Sequence, residues 1–137
     1  MNIEDCFKEN LLKKTKIEEE KIKNSLNLAR HFLERAEGIL KIGYYDIAFS
    51  QAYNSMFHSA RAILFKDGIK ERSHYCLVLY LKNKFKSGEI KDYLEILDDC
   101  RQSRHNIQYE GGNCAPEDAE QAIEDAKKFL EIVEGLL

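Results

Sequence analysis

The residues with most to offer chemically crowd into one stretch, Arg101-Gln102-Ser103-Arg104-His105-Asn106-Ile107-Gln108-Tyr109. Arg101, Arg104, His105 and Gln108 fall at i, i+3, i+4 and i+7, so on a helix they share one side, and His105 and Tyr109 are one turn apart. Two guanidinium groups offer forked donors suited to a phosphate, and an imidazole moves protons near neutrality. The same residues also fit a solvated helix face, with Asp98, Asp99 and Glu110 partly neutralising it.

Other positions carry weaker signals. Glu71-Arg72-Ser73-His74 is a single ExxH, whereas a di-iron bundle site needs two such elements and two more glutamates. His74 reads as a capping or surface residue. His58 reads as a hydrogen-bonded core histidine, or else as a ligand-binding residue beside Arg104. His31 reads as surface, and Tyr53 as a packed ring with its hydroxyl satisfied inside. Cys6, Cys76, Cys100 and Cys114 are far apart with no CxxC pair, so reduced, packed thiols are expected and no zinc. Neither a glycine-rich phosphate loop nor a nucleophile elbow is present, and no metal or cofactor is expected.

The elements that must position these residues are helices. Ile22, Leu26, Ala29, Leu33, Ala36 and Leu40 form one stripe, closed by Gly43 at a C-cap position. From Tyr44 to Lys66 apolar residues surround most of the circumference, which marks the central helix. Ser73 is an N-cap for a third helix carrying Leu77, Leu81 and Phe85. A fourth spans Ile90 to Tyr109, broken by Gly111-Gly112. Pro116 opens a fifth, with Ala119, Ala122, Ala126, Phe129, Val133 and Leu136 inward. Residues 1–14 read as a short helix or arm. The expectation is an all-α, up-and-down bundle of about five helices, with no sheet, forming one domain over residues 1–137.

Composition narrows the function classes. With 137 residues, 44% hydrophobic and 33% charged, the chain suits one core. A net charge of −3 supplies no global basic field, so any nucleic-acid contact has to be a local patch. No apolar run reaches the roughly 20 residues that span a bilayer. The first residues, Met1 to Asp5, show no basic segment followed by an apolar one. A cytoplasmic protein is expected, without membrane association.

Arg104-His105-Asn106-Ile107-Gln108-Tyr109 resembles the late-helix motif of HEPN domains, an Arg, a polar residue, three more residues and a His, with Tyr109 standing where the His would be. Arg101 to His105 holds both residue types one residue too close. Residues 36–40 before Gly43-Tyr44-Tyr45, the run Ala52 to Leu64, and Ser73-His74 are also similar to a small prokaryotic HEPN subfamily. The similarity covers roughly residues 20–135. The resemblance implies a homodimerising bundle with paired motifs in a cleft, a minimal nucleotidyltransferase as partner, and a toxin–antitoxin or stress module. Active members resemble metal-independent ribonucleases, in which Arg104 would hold the scissile phosphate, with His105 as the polar follower. An unperturbed tyrosine, with a pKa of about 10, is a poor general base near neutrality, and residues five apart on an ideal helix point about 140° from each other. Three readings therefore stand: a nucleotidyltransferase-associated protein binding RNA or nucleotide through Arg101, Arg104, Gln108 and His58; a ribonuclease using Arg104 with His105 or Tyr109; and a helical adaptor without ligand.

Overall fold

The computed structural model describes residues 1–137. The chain runs α1 (Ile3–Lys8), β1 (Leu12–Lys14), α2 (Glu19–Lys41), α3 (Tyr45–Lys66), β2 (Ile69–Glu71), α4 (His74–Lys84), α5 (Glu89–Tyr109) and α6 (Pro116–Leu136). The five long helices fall where the apolar stripes put them. The punctuation works as its chemistry dictates. Gly43 takes φ +85° after α2 and donates its N–H to Leu40 O at 3.1 Å, a backbone region glycine enters without steric cost. Ser73 caps α4 by accepting from the N–H of Cys76. Pro116 is the first residue of α6, and the preceding Ala115 N–H donates to Asp118 Oδ2 at 3.1 Å.

α3 is the axis of the molecule. It packs against α2, α4, α5, α6 and β2, and fourteen of its residues are buried, as its nearly continuous apolar surface requires. Small residues let α2 and α3 approach: Ala29 and Ala36 on one, Ala48, Ala52, Ser55 and Ala60 on the other, are all sealed from solvent. Ser55 Oγ uses that proximity to donate to Ala29 O at 2.7 Å. Leu77 and Leu81 of α4, Leu94 and Leu97 of α5, and Phe129 and Val133 of α6 complete the core. No helix is long and apolar enough to cross a membrane.

Two expectations are corrected. There is a small sheet: β1 and β2 pair antiparallel, Leu12 opposite Glu71 and Lys14 opposite Ile69, with Thr15 N–H to Gly68 O and Arg72 N–H to Leu11 O continuing the ladder, each at 2.8 Å. Three-residue strands far apart in sequence leave no alternation to read; backbone pairing, not side-chain pattern, defines them. The cysteines are also not all free. Cys6 of α1 and Cys76 of α4 form a disulfide, both wholly buried, while Cys100 and Cys114 are free thiols. Spacing of 70 residues concealed the pair, which the fold alone brings together. Bond and ribbon together fasten the first fourteen residues to the start of α4, so the expected arm is a docked element.

Candidate functional site

The site begins with Tyr53. Its ring, mid-way along the central helix, is fully buried, and a buried phenol needs a partner. The partner is His74: Tyr53 Oη and His74 Nδ1 lie 2.7 Å apart. His74 is the first residue of α4, so the Ser73 cap that starts the helix also sets the position of the imidazole. Below it, the Phe57 ring stacks on His74 at 4.0 Å between centroids and 20° between planes. Phe57 also meets His58 edge-on at 5.4 Å, and the far face of His58 is stacked on Phe32 of α2 at 5.3 Å. Three helices thus contribute to one continuous array of aromatic and imidazole rings.

α5 lays its arginines over this array. The Arg104 guanidinium sits above the Tyr53 ring, 5.3 Å from its centroid, and that of Arg101 sits above the Tyr75 ring at 5.5 Å, both within cation–π range. Their ionic surroundings differ. Arg101 bonds Asp98 Oδ1 through Nε at 3.1 Å and Nη2 at 3.0 Å. Lys82 Nζ holds the other oxygen of Asp98 at 3.0 Å. Burial alone would raise the Asp98 pKa, but the hydrogen bonds from Lys82 and Arg101 outweigh it and keep the carboxyl below its ordinary value. Arg104 has no carboxylate, and its Nε is buried without a hydrogen-bond partner. A buried charged donor left unpaired costs more than most polar groups, so this N–H stands out as a place for an acceptor.

The rings beneath are electrically quiet. Burial, then the charges of Arg104, Arg101, His58 and Arg61, push His74 down to about 4. Burial and Arg61 push His58 to about 4 as well. Burial raises the Tyr53 hydroxyl above its usual range, against the pull of Arg104 and Arg101. Both imidazoles are therefore neutral at pH 7. Arg61 is occupied elsewhere: its Nε lies 2.6 Å from Oε1 of the buried Glu71, whose pKa is nevertheless raised, chiefly by burial. Glu71 and His74, the two ends of the ExxH, thus serve separate partners.

The remaining expected residues on α5 are exposed. His105 and Tyr109 pack on each other at 5.1 Å and both are exposed, Tyr109 to 68%. His105 Nε2 is 3.8 Å from Glu110 Oε1, and Gln108 is exposed. α5 stops just beyond them: Gly112 N–H donates to Asn106 O at 3.0 Å, and a Cβ on Gly112 would come within 3.3 Å of that carbonyl. The structure therefore brings Arg101 and Arg104 together over Tyr75 and over the Tyr53 that holds His74, and leaves His105, Gln108 and Tyr109 in solvent.

Two expectations about histidines change. His74 is no surface cap but the hydrogen-bonded partner of a buried tyrosine. His58 is not hydrogen-bonded in the core: it is half-buried between two phenylalanines, with Nδ1 unpartnered. The signal for His74 was present in Tyr53, whose buried hydroxyl had to find an acceptor or donor, but nothing local in sequence says which residue supplies it.

The HEPN domain profile matches residues 22–136. Among solved structures, the crystal structure of an archaeal HEPN homologue is similar, with a TM-score of 0.67 and 23% identity over 84% of this chain and 96% of that one; at that identity the likeness speaks for the fold. No curated protein matches the sequence.

Proposed function

The chain belongs to the HEPN domain family, and from that premise we propose that it binds RNA or a nucleotide by its phosphate through Arg104, assisted by Arg101. The observation that carries this reading is the buried, unpartnered Nε of a guanidinium that has no carboxylate of its own. An anion placed there would complete the coordination that the protein leaves open, and a forked guanidinium suits a phosphate better than a point charge does. The aromatic array beneath keeps the guanidinium in place by a cation–π contact rather than by an ion pair, so its positive charge is not neutralised by an internal carboxylate.

The wider setting is part of the same proposal: one domain over residues 1–137, a homodimer, a minimal nucleotidyltransferase as partner and a toxin–antitoxin or stress module in the cytoplasm. The family resemblance supports that setting. The Cys6–Cys76 bond is in tension with it, since reducing compartments keep most thiols free. Cleavage is not part of the reading: His105 and Tyr109, the groups available to move a proton at the motif, are exposed and pack on each other.

The test compares wild type, Arg104→Ala, His105→Ala and Tyr109→His on a structured RNA in chelator. Wild type is expected to bind without cleaving, and Arg104→Ala to lose about tenfold or more in affinity, the worth of a charge-assisted hydrogen bond. Robust wild-type cleavage abolished by His105→Ala would establish the ribonuclease reading instead. Unchanged RNA, nucleotide and partner binding in Arg104→Ala would return the cluster to a solvated face. Co-purification of the untagged chain from its native cell tests the nucleotidyltransferase partner.

A further inference from the structure

His105 and Tyr109 occupy the motif, yet an imidazole on another helix is linked to Arg104 through a shared neighbour. Tyr53 is its link: the phenol ring lies under Arg104 and the phenol oxygen holds His74 Nδ1. Nε2 of His74 makes no hydrogen bond and, unlike His58 Nδ1 and Arg104 Nε, is not a buried unpartnered atom. It is accordingly not sealed from solvent. We propose that His74 is the ligand-facing imidazole of the Arg104 site, and that it takes up a proton from solvent as a phosphodiester or similar oxyanion settles on the two guanidinium groups. This rests on the reading of Arg104 as a phosphate binder and adds the second, proton-bearing half of that site.

The electrostatics support the geometry. The groups that act most strongly on His74 are Arg104 and Arg101 of α5 and His58 and Arg61 of α3, with Tyr53 in direct contact and Tyr75 beside it on α4. Neither Arg101 nor Arg61 acts at full strength, since Asp98 and Glu71 pair with them; Arg104 does. Burial and these cations hold the ring neutral in the free protein. An anion on Arg104 removes the main charge opposing protonation and adds one favouring it. Protonated, His74 keeps a donor at each nitrogen, one to Tyr53 Oη and one to the ligand. The Tyr53 hydroxyl then accepts from Nδ1–H, which a rotating O–H permits.

The consequence is proton-linked binding. If the ligand raises His74 by about two units, the size of effect a close opposite charge produces, affinity improves roughly fourfold from about pH 7.5 to about pH 5.5. The sign follows from the bound state holding the extra proton: affinity rises as pH falls. The probes are sulfate and a short oligouridylate without terminal phosphates, whose charges do not change in this range.

The experiment measures affinity for both probes against pH in wild type, Arg104→Ala, His74→Gln and His58→Gln, and follows the ring protons of the four histidines by NMR in wild type with and without oligouridylate. The expected result is Arg104-dependent binding that tightens on acidification, a His74 titration displaced upward by the ligand, and a flat pH profile in His74→Gln. Wild-type binding that depends on Arg104 but not on pH, with an unmoved His74 titration, overturns this inference and leaves the phosphate reading intact. A pH dependence that survives in His74→Gln and disappears in His58→Gln overturns it in favour of the neighbouring ring. Binding indifferent to Arg104→Ala overturns both. The NMR arm reads wild type, so misfolding of a variant does not decide the outcome.

Discussion

The last turns of α5 carry two pairs of residues with similar ingredients and different fates. Arg101 and Arg104 face inward, each over an aromatic ring, at 5.5 and 5.3 Å. His105 and Tyr109 are exposed and pack on each other, with Glu110 as a distant ionic neighbour. Composition does not separate the two pairs, and neither does helical period, which groups Arg101, Arg104, His105 and Gln108 on one arc. What separates them is the wall opposite. α3 supplies Tyr53, and the capped first turn of α4 supplies His74 and Tyr75. A charged group becomes a site when neighbouring elements fix it and withhold its counter-charge; the same group in water is a solvated side chain.

The wall opposite α5 is where the two pairs can be made alike. The largest effect is expected from the Cys6–Cys76 bond, which anchors the first turn of α4 next to His74 and Tyr75. Replacing both cysteines by Ala should lower stability by about 2–5 kcal/mol, read as a drop in the urea midpoint that matches the effect of reductant on wild type. It should also weaken RNA binding by the arginine pair. An unchanged midpoint would show that α4 holds its place without the tether.

Next in size is acid sensitivity. His74 and His58 titrate at about 4 in the folded chain and near about 6.5 when unfolded. Between those values the unfolded chain binds more protons, so stability is intact above the upper value and is lost as pH falls toward the lower one. Discounted for solvent screening, the two half-buried rings give about 2–4 kcal/mol together. Urea titrations at about pH 7.5 and 4.5 check this, with His58→Leu expected to remove part of the slope; equal stability at both values would contradict the burial of the array.

Tyr53→Phe is expected to cost about 1 kcal/mol, a net hydrogen bond, and to leave His74 Nδ1 unpaired. Thermal unfolding measures it, and no change would mean the pair contributes nothing to holding the ring. Smallest of all, His105→Ala and Tyr109→Ala in the exposed pair should each stay within about 0.5 kcal/mol of wild type. A larger loss of stability would show that the exposed pair is structural after all.

Much of the fold was legible because the deciding information is local. Apolar residues at helical spacing, Gly43, Ser73 and Pro116 mark the five long helices, although α4 ends at Lys84, before the Phe85 expected on it. The β1–β2 ribbon and the Cys6–Cys76 bond were not legible, because each depends on segments about 60 to 70 residues apart meeting in space. The site divides in the same way. Arg101 and Arg104 stand out by type and spacing, and Tyr53 by its place on a buried helix. The union of Tyr53 with His74 is tertiary, and so is the split between the two pairs on α5. The lone ExxH shows the converse: its spacing is genuine, but the fold gives Glu71 to Arg61 and His74 to Tyr53.

The most direct measurement is the affinity of a labelled single-stranded RNA, at low salt, for wild type, Arg104→Ala, Arg104→Lys and His105→Ala. The inner-site account predicts that Arg104→Ala loses about tenfold or more, that Arg104→Lys recovers part of the charge but not the forked geometry, and that His105→Ala stays within about twofold. Wild-type affinity in Arg104→Ala together with a loss in His105→Ala would place binding on the exposed pair of α5 and contradict the account.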